Sequence, residues 1–138
     1  MTIEAHLFAA TINWCMVFGS DGCNPTHWKQ LSKKQSKELI QSFRDGLFQE
    51  LNLDKAAWEK YWKSFKDFQD NFVAHRELNF SRPVPNFDTA IDVAYFYDKW
   101  VRKIISPDTL NEPSLEQFTI LQEELVTPFV DKLLRVTE

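Results

Sequence analysis

The stretch from Trp58 to Phe87 constrains this chain more than any other. Trp58, Trp62, Phe65, Phe72 and, nearer the edge, Phe68 recur at three- and four-residue spacing. Each residue of an α-helix turns the chain by about 100°, so apolar residues on that period line one face of a helix. The same period sets Ser64, Asp67, Asn71 and His75 in a narrow band beside the aromatic stripe. The helix is expected to stop shortly after His75. Pro83 and Pro85 lack an amide N–H and restrict the residues before them, which favours a stiff, extended loop there.

A helix with so wide an aromatic face needs neighbours to cover it. The first is expected over about Ile3 to Phe18, where Leu7, Phe8, Ile12, Trp14, Met16 and Val17 leave almost no polar face. Such a helix is buried centrally or shared with a partner. His6 and Asn13, seven residues apart on it, read as a polar pair satisfied within the fold. Gly19-Ser20-Asp21-Gly22 breaks this helix, and a short connection then carries His27 and Trp28. A second helix is expected from Ser32 or Lys34 to Leu51, with Leu39, Ile40, Phe43, Leu47 and Leu51 inside and Lys33, Lys34, Lys37 and Glu38 in solvent.

Asp54 is the natural N-cap of the aromatic helix. A fourth helix should open at Phe87-Asp88 and run to about Ile105, burying Phe87, Ile91, Ala94, Val101, Ile104 and Ile105. Asp98 falls among those apolar positions and needs a partner, either Arg102 one turn on or a cation from elsewhere. Ser114 and Gln117 form a capping box for the last helix, whose core stripe is Phe118, Leu121, Leu125, Phe129, Leu133 and the adjacent Leu134. Pro128 should kink or divide that helix. Nothing in the chain alternates as a strand does. The expected fold is all-α: one domain of 138 residues, an antiparallel five-helix bundle.

Composition narrows the function classes. A net charge of -4 gives no global basic field, so tight nonspecific binding to nucleic acid is not expected. Cys15 and Cys23 are the only cysteines and leave a single disulfide open. With His27 they make one loose triplet, whereas zinc sites show two paired spacings, so no metal or cofactor is expected. The start lacks the features of a signal peptide, and no apolar run reaches the roughly 20 residues that span a bilayer. The protein is therefore expected in the cytoplasm, without a membrane partner.

Catalytic motifs are scarce. There is no serine in a glycine-flanked elbow, no glycine-rich phosphate loop and no paired-histidine zinc motif. What remains is His75, with Asn71, Asp67 and Ser64 on its band. A histidine exchanges protons near neutral pH, and a neighbouring amide or carboxylate orients its ring. Arg76 and Arg82 would bring positive charge to a phosphate. The structural alternative is a histidine that ends an apolar stripe and hydrogen-bonds within the bundle.

The run Asp70-Asn71-Phe72-Val73-Ala74-His75-Arg76-Glu77, followed by a proline loop and a helix opening at Phe87-Asp88, resembles the abortive-infection branch of the HEPN superfamily. The segment from Asn13-Trp14-Cys15 through Phe18-Gly19-Ser20 to His27-Trp28-Lys29 is similar to bacterial proteins of that branch. The resemblance covers roughly residues 3 to 105. It implies an all-helical homodimer, and many such proteins are metal-independent ribonucleases of toxin–antitoxin or phage-defence systems. RNA or a nucleotide, and an antitoxin or regulatory protein, are the partners it implies. Its signature is an arginine, a polar residue, a few positions and a histidine. His75 matches the histidine and Asn71 the polar residue. The arginine would fall at Asp70, or at Gln69 or Phe68 under longer spacings, and none of these is basic. A carboxylate there repels the phosphate that an arginine would hold. The expected function is accordingly a degenerate, non-catalytic binding or regulatory module in bacterial stress or phage defence. The alternative is an endoribonuclease in which His75 is the acid or base, Asn71 orients it, and the RNA 2′-hydroxyl attacks the adjacent phosphate.

Overall fold

The computed structural model describes residues 3–31, 36–74 and 83–136. Among them every regular element is helical. Five α-helices follow one another: α1 (Ile3–Phe18), α2 (Lys37–Glu50), α3 (Lys55–Phe68), α4 (Phe87–Trp100) and α5 (Leu115–Val136). Short 3-10 turns occupy Trp28–Leu31 and Pro107–Asn111, and π-helical segments Gln69–Ala74 and Val101–Ile105 extend α3 and α4. The chain divides into two compact units, Met1–Ala94 and Tyr95–Glu138. No helix among the described residues is long and apolar enough to cross a membrane.

The core of the first unit is aromatic. Trp14 lies 4.4 Å from Phe65 between ring centroids, and Phe8 meets Phe72 edge-on at 5.6 Å. Such tilted and edge-on pairs suit the ring quadrupoles and add to the area they bury. Phe68, expected near the edge of the stripe, is 1% exposed and belongs to the core beside Phe65. Helix α1 buries one face only: Thr11, Trp14 and Phe18 are inside, while Ile12 and Met16 are exposed. Thr11 survives burial because its hydroxyl donates to the Leu7 carbonyl at 2.8 Å. His6 and Asn13 both face solvent.

Helix α2 begins at Lys37, later than expected, because the Ser36 side chain caps it by accepting from the Leu39 N–H. Lys33 and Lys34 lie outside the described residues. The C-terminus of α2 closes by a Schellman motif: Leu53 N–H reaches the Phe48 carbonyl at 2.9 Å, and Asn52 takes a left-handed φ of 51°. Asp54 then caps α3, accepting from Ala57 N–H at 2.7 Å.

Helix α3 does not continue unchanged to His75. At Gln69 it widens into the π segment, whose i→i+5 pattern adds a residue to the turn. Asn71 lies within this segment and keeps Asp67 as its neighbour one turn back. His75, Arg76 and Arg82 lie outside the described residues.

The buried positions of α4 are Ala90, Val93, Phe96 and Trp100. Ile91 and Ile104, expected inside, are 46% and 44% exposed. The face that α4 buries is set by Ala90, Val93, Phe96 and Trp100, and periodicity alone does not single it out. In the second unit Asp98 accepts the Leu115 N–H at 3.0 Å and stands 3.9 Å from Arg102. Arg102 also donates to the carbonyls of Glu112 and Pro113. Ser114 and Gln117 exchange the two bonds of a capping box, at 2.9 and 3.2 Å. These groups satisfy amides at the start of α5 that the helix itself leaves unpaired.

Pro128 is accommodated inside α5, which runs unbroken through it. The stripe expected to be core is not covered: Phe118, Leu121, Leu125, Phe129 and Leu133 are 50–70% exposed. Periodicity tells which face of a helix is apolar and says nothing of what covers it.

Candidate functional site

The residues singled out around His75 are already engaged locally, where they are described. Asn71 donates its side-chain amide to the Asp67 carbonyl at 3.0 Å. Ser64 donates its hydroxyl to the Tyr61 carbonyl at 2.7 Å. Asp70, at the position where the resemblance calls for arginine, is paired with Lys66 at 2.8 Å. The structure thus joins Asn71 to the Asp67 backbone and ties Ser64 to a different turn. Nothing in these bonds gathers a phosphate-binding cation beside Asn71.

A different place in the first unit has the form of a ligand site. A cleft of about 540 Å³ opens between the loop after α1, the Trp28–Leu31 turn, α2 and α3. That volume suits a small molecule of drug or nucleotide size. The loop that forms its floor is fixed by the carbonyls at the end of α1, which a helix leaves without intrahelical donors. Asn24 and Thr26 donate their side chains to the Met16 carbonyl at 2.7 and 2.9 Å. Gly19 N–H bonds the Cys15 carbonyl at 2.9 Å, and Trp62 donates its indole N–H to the Phe18 carbonyl at 2.7 Å. A Cβ at Gly19 would stand 2.3 Å from the Cys15 oxygen, so this close approach admits only glycine.

His27 is the one buried titratable group in the cleft wall, 3% exposed. Burial, and then the Lys29 charge, hold its pKa below the ordinary histidine value. Its Nδ1 accepts the Lys29 backbone N–H at 3.2 Å. An accepting Nδ1 assigns the proton to Nε2. His27 is therefore a histidine of fixed tautomer whose Nδ1 lone pair is taken up by the backbone. That arrangement leaves it no lone pair for a metal. Among the described residues, no three His, Cys, Asp or Glu side chains gather as a metal site. Cys15 and Cys23 are both free thiols.

The remaining lining is aromatic and charged. Trp28 stacks on Phe43 at 4.0 Å, and Trp58 and Trp62, one turn apart on α3, line the cleft with them. Three cations join them: Lys29, Arg44 and Lys55. Lys29 is paired with Asp21, whose carboxyl that hydrogen bond holds below its usual pKa. Lys55 stands 3.7 Å from Glu59, both well exposed, a pairing worth little in water. Arg44 makes no ion pair among the described residues. The cleft thus offers indole surface and one uncommitted guanidinium, which binds planar anions in a fork and stacks on rings.

The sequence reading did not find this site. The spacing of Trp58 and Trp62 places them in the core stripe, yet both are only half-buried. Arg44 has no local mark distinguishing it from a solvated helix residue. The signal in the sequence is the three tryptophans, Trp28, Trp58 and Trp62, that the cleft gathers.

No family model matches the chain, no curated protein is detectably similar to it, and no solved structure matches its fold.

Proposed function

We propose that this chain is a non-catalytic, HEPN-like binding module of bacterial stress or phage defence that takes a small aromatic anion, of nucleotide type, into the tryptophan-lined cleft. The observation that carries the reading is Arg44, an uncommitted cation in a cleft of ligand size beside Trp58 and Trp62. A planar base suits the indoles, and a phosphate suits the guanidinium. The Lys66 partnership of Asp70 and the local bond of Asn71 support the absence of catalysis. The HEPN likeness rests on the residue resemblance between residues 3 and 105.

The test is isothermal titration of adenosine monophosphate into the purified protein, with inorganic phosphate as control. Saturable binding of the nucleotide is expected, weakened about tenfold or more in Arg44→Ala and in Trp58→Ala. Absence of binding at millimolar nucleotide overturns the cleft assignment. Total bacterial RNA incubated with the protein in EDTA tests the other half. Cleavage that disappears in His75→Ala would establish the metal-independent ribonuclease in its place.

A further inference from the structure

One wall of the cleft is the short turn Trp28–Leu31, and a single residue holds its start. The first amides of any helical turn have no partner within it. Three bonds from His27 fix this one. Its N–H donates to the Asn24 carbonyl at 3.4 Å, its carbonyl accepts the Gln30 N–H at 2.8 Å, and its Nδ1 accepts the Lys29 N–H at 3.2 Å. The last is the bond of an N-cap, with an imidazole nitrogen in the place that a serine or asparagine oxygen usually takes. The turn so fixed carries two residues of the cleft wall. Trp28 stacks on Phe43, and Lys29 pairs with Asp21.

An imidazole differs from other caps because it takes up a proton near neutral pH. Nδ1 accepts the Lys29 amide only while it carries no proton. A proton from solvent turns that acceptor into a donor, and two N–H groups then face one another at a residue only 3% exposed. Little water reaches the ring there to stabilise its charge. Asp21, on the loop after α1, favours the charged ring, but burial and Lys29 outweigh it. The other charges of the cleft wall are Arg44 on α2 and, on α3, Lys55 with Glu59 beside it. A protonated ring is accommodated by leaving the turn for solvent.

We propose that His27 is a pH-sensitive latch on the cleft: unprotonated, it holds Trp28 and Lys29 in the wall, and protonated at Nδ1 it releases them while the helices stay folded. The opening is local, since what is lost is the cap of one four-residue turn. His27 acts through the two residues that follow it and is a positioning residue. The latch works whichever molecule the cleft takes, so a failure of nucleotide binding leaves it standing.

Nuclear magnetic resonance of the isotopically labelled full chain, titrated from about pH 8 to about pH 5, tests it. The Lys29 amide and the Trp28 indole should shift with the same midpoint as the His27 ring, below about 6.5. Corrected for its intrinsic exchange rate, the Lys29 amide should lose protection roughly tenfold or more across that midpoint, while the Phe65 amide keeps its own. In His27→Asn, whose side-chain oxygen caps without titrating, Lys29 protection should stay flat. Asp21→Asn removes a charge that favours the protonated ring, and should move the midpoint to lower pH without abolishing it. A Lys29 amide that stays protected while the ring titrates overturns the latch, and that readout needs no variant. Parallel loss at Phe65 makes the event global unfolding and overturns it as well. An unchanged transition in His27→Asn, or none in Asp21→Asn, assigns the opening to another group and does the same.

Discussion

Trp62 donates its indole N–H to the backbone carbonyl of Phe18 at 2.7 Å, joining residues 44 positions apart. The bond satisfies a carbonyl at the end of α1 and at the same time fixes an indole in the cleft wall. Trp62→Phe keeps much of the ring but leaves the carbonyl without its donor. The variant should lose roughly 1–2 kcal/mol in urea denaturation, the usual consequence of unpairing a part-buried polar group. An unchanged midpoint would show that water replaces the indole there.

Stability should respond to pH through His27. Its pKa is lowered in the fold, so between that value and about 6.5 the unfolded chain binds the extra proton. Stability from the neutral ring is complete above that window and is lost as pH falls through it. Melting temperature should drop as pH falls below about 6.5, and the drop should be shallower in His27→Gln. Parallel pH profiles for the two proteins would exclude His27 as the source.

The two thiols should differ sharply in reactivity. Burial pushes Cys15 up to about 11, whereas Cys23 is exposed. Since the thiolate is the nucleophile, iodoacetamide near pH 8 should modify Cys23 at least roughly tenfold faster than Cys15 in the native protein. Peptide mapping by mass spectrometry reads the ratio directly, and equal rates would place Cys15 in contact with solvent.

Asp98 organises the start of α5 by accepting the Leu115 N–H, with Arg102 beside it. Asp98→Ala should cost about 1–2 kcal/mol, in line with a charge-assisted bond to a helix-terminal amide. Hydrogen exchange at Leu115 and Glu116 should accelerate in the variant, and protection equal to wild type would assign the cap to Ser114 alone.

Local signals in the sequence were legible wherever one residue type determines one geometry. Asp54 and Ser114 cap their helices as their side chains dictate, and Gln117 completes its box. The all-helical class followed from the period of the aromatic stripe. The π segments were not legible, because widening a helix by one residue leaves no mark on composition. The cleft was hidden for a related reason. Trp58 and Trp62 satisfy the pattern of a core residue whether or not a neighbouring helix covers them.

Gly19 and Gly22 flank the same short loop, yet their surroundings differ completely. The Cys15 oxygen crowds the place of a Cβ at Gly19, while nothing lies within 4 Å of one at Gly22. Drift across generations should therefore hold the first fixed and let the second wander. In a library randomised over the loop, survivors should keep one glycine and spend the other freely.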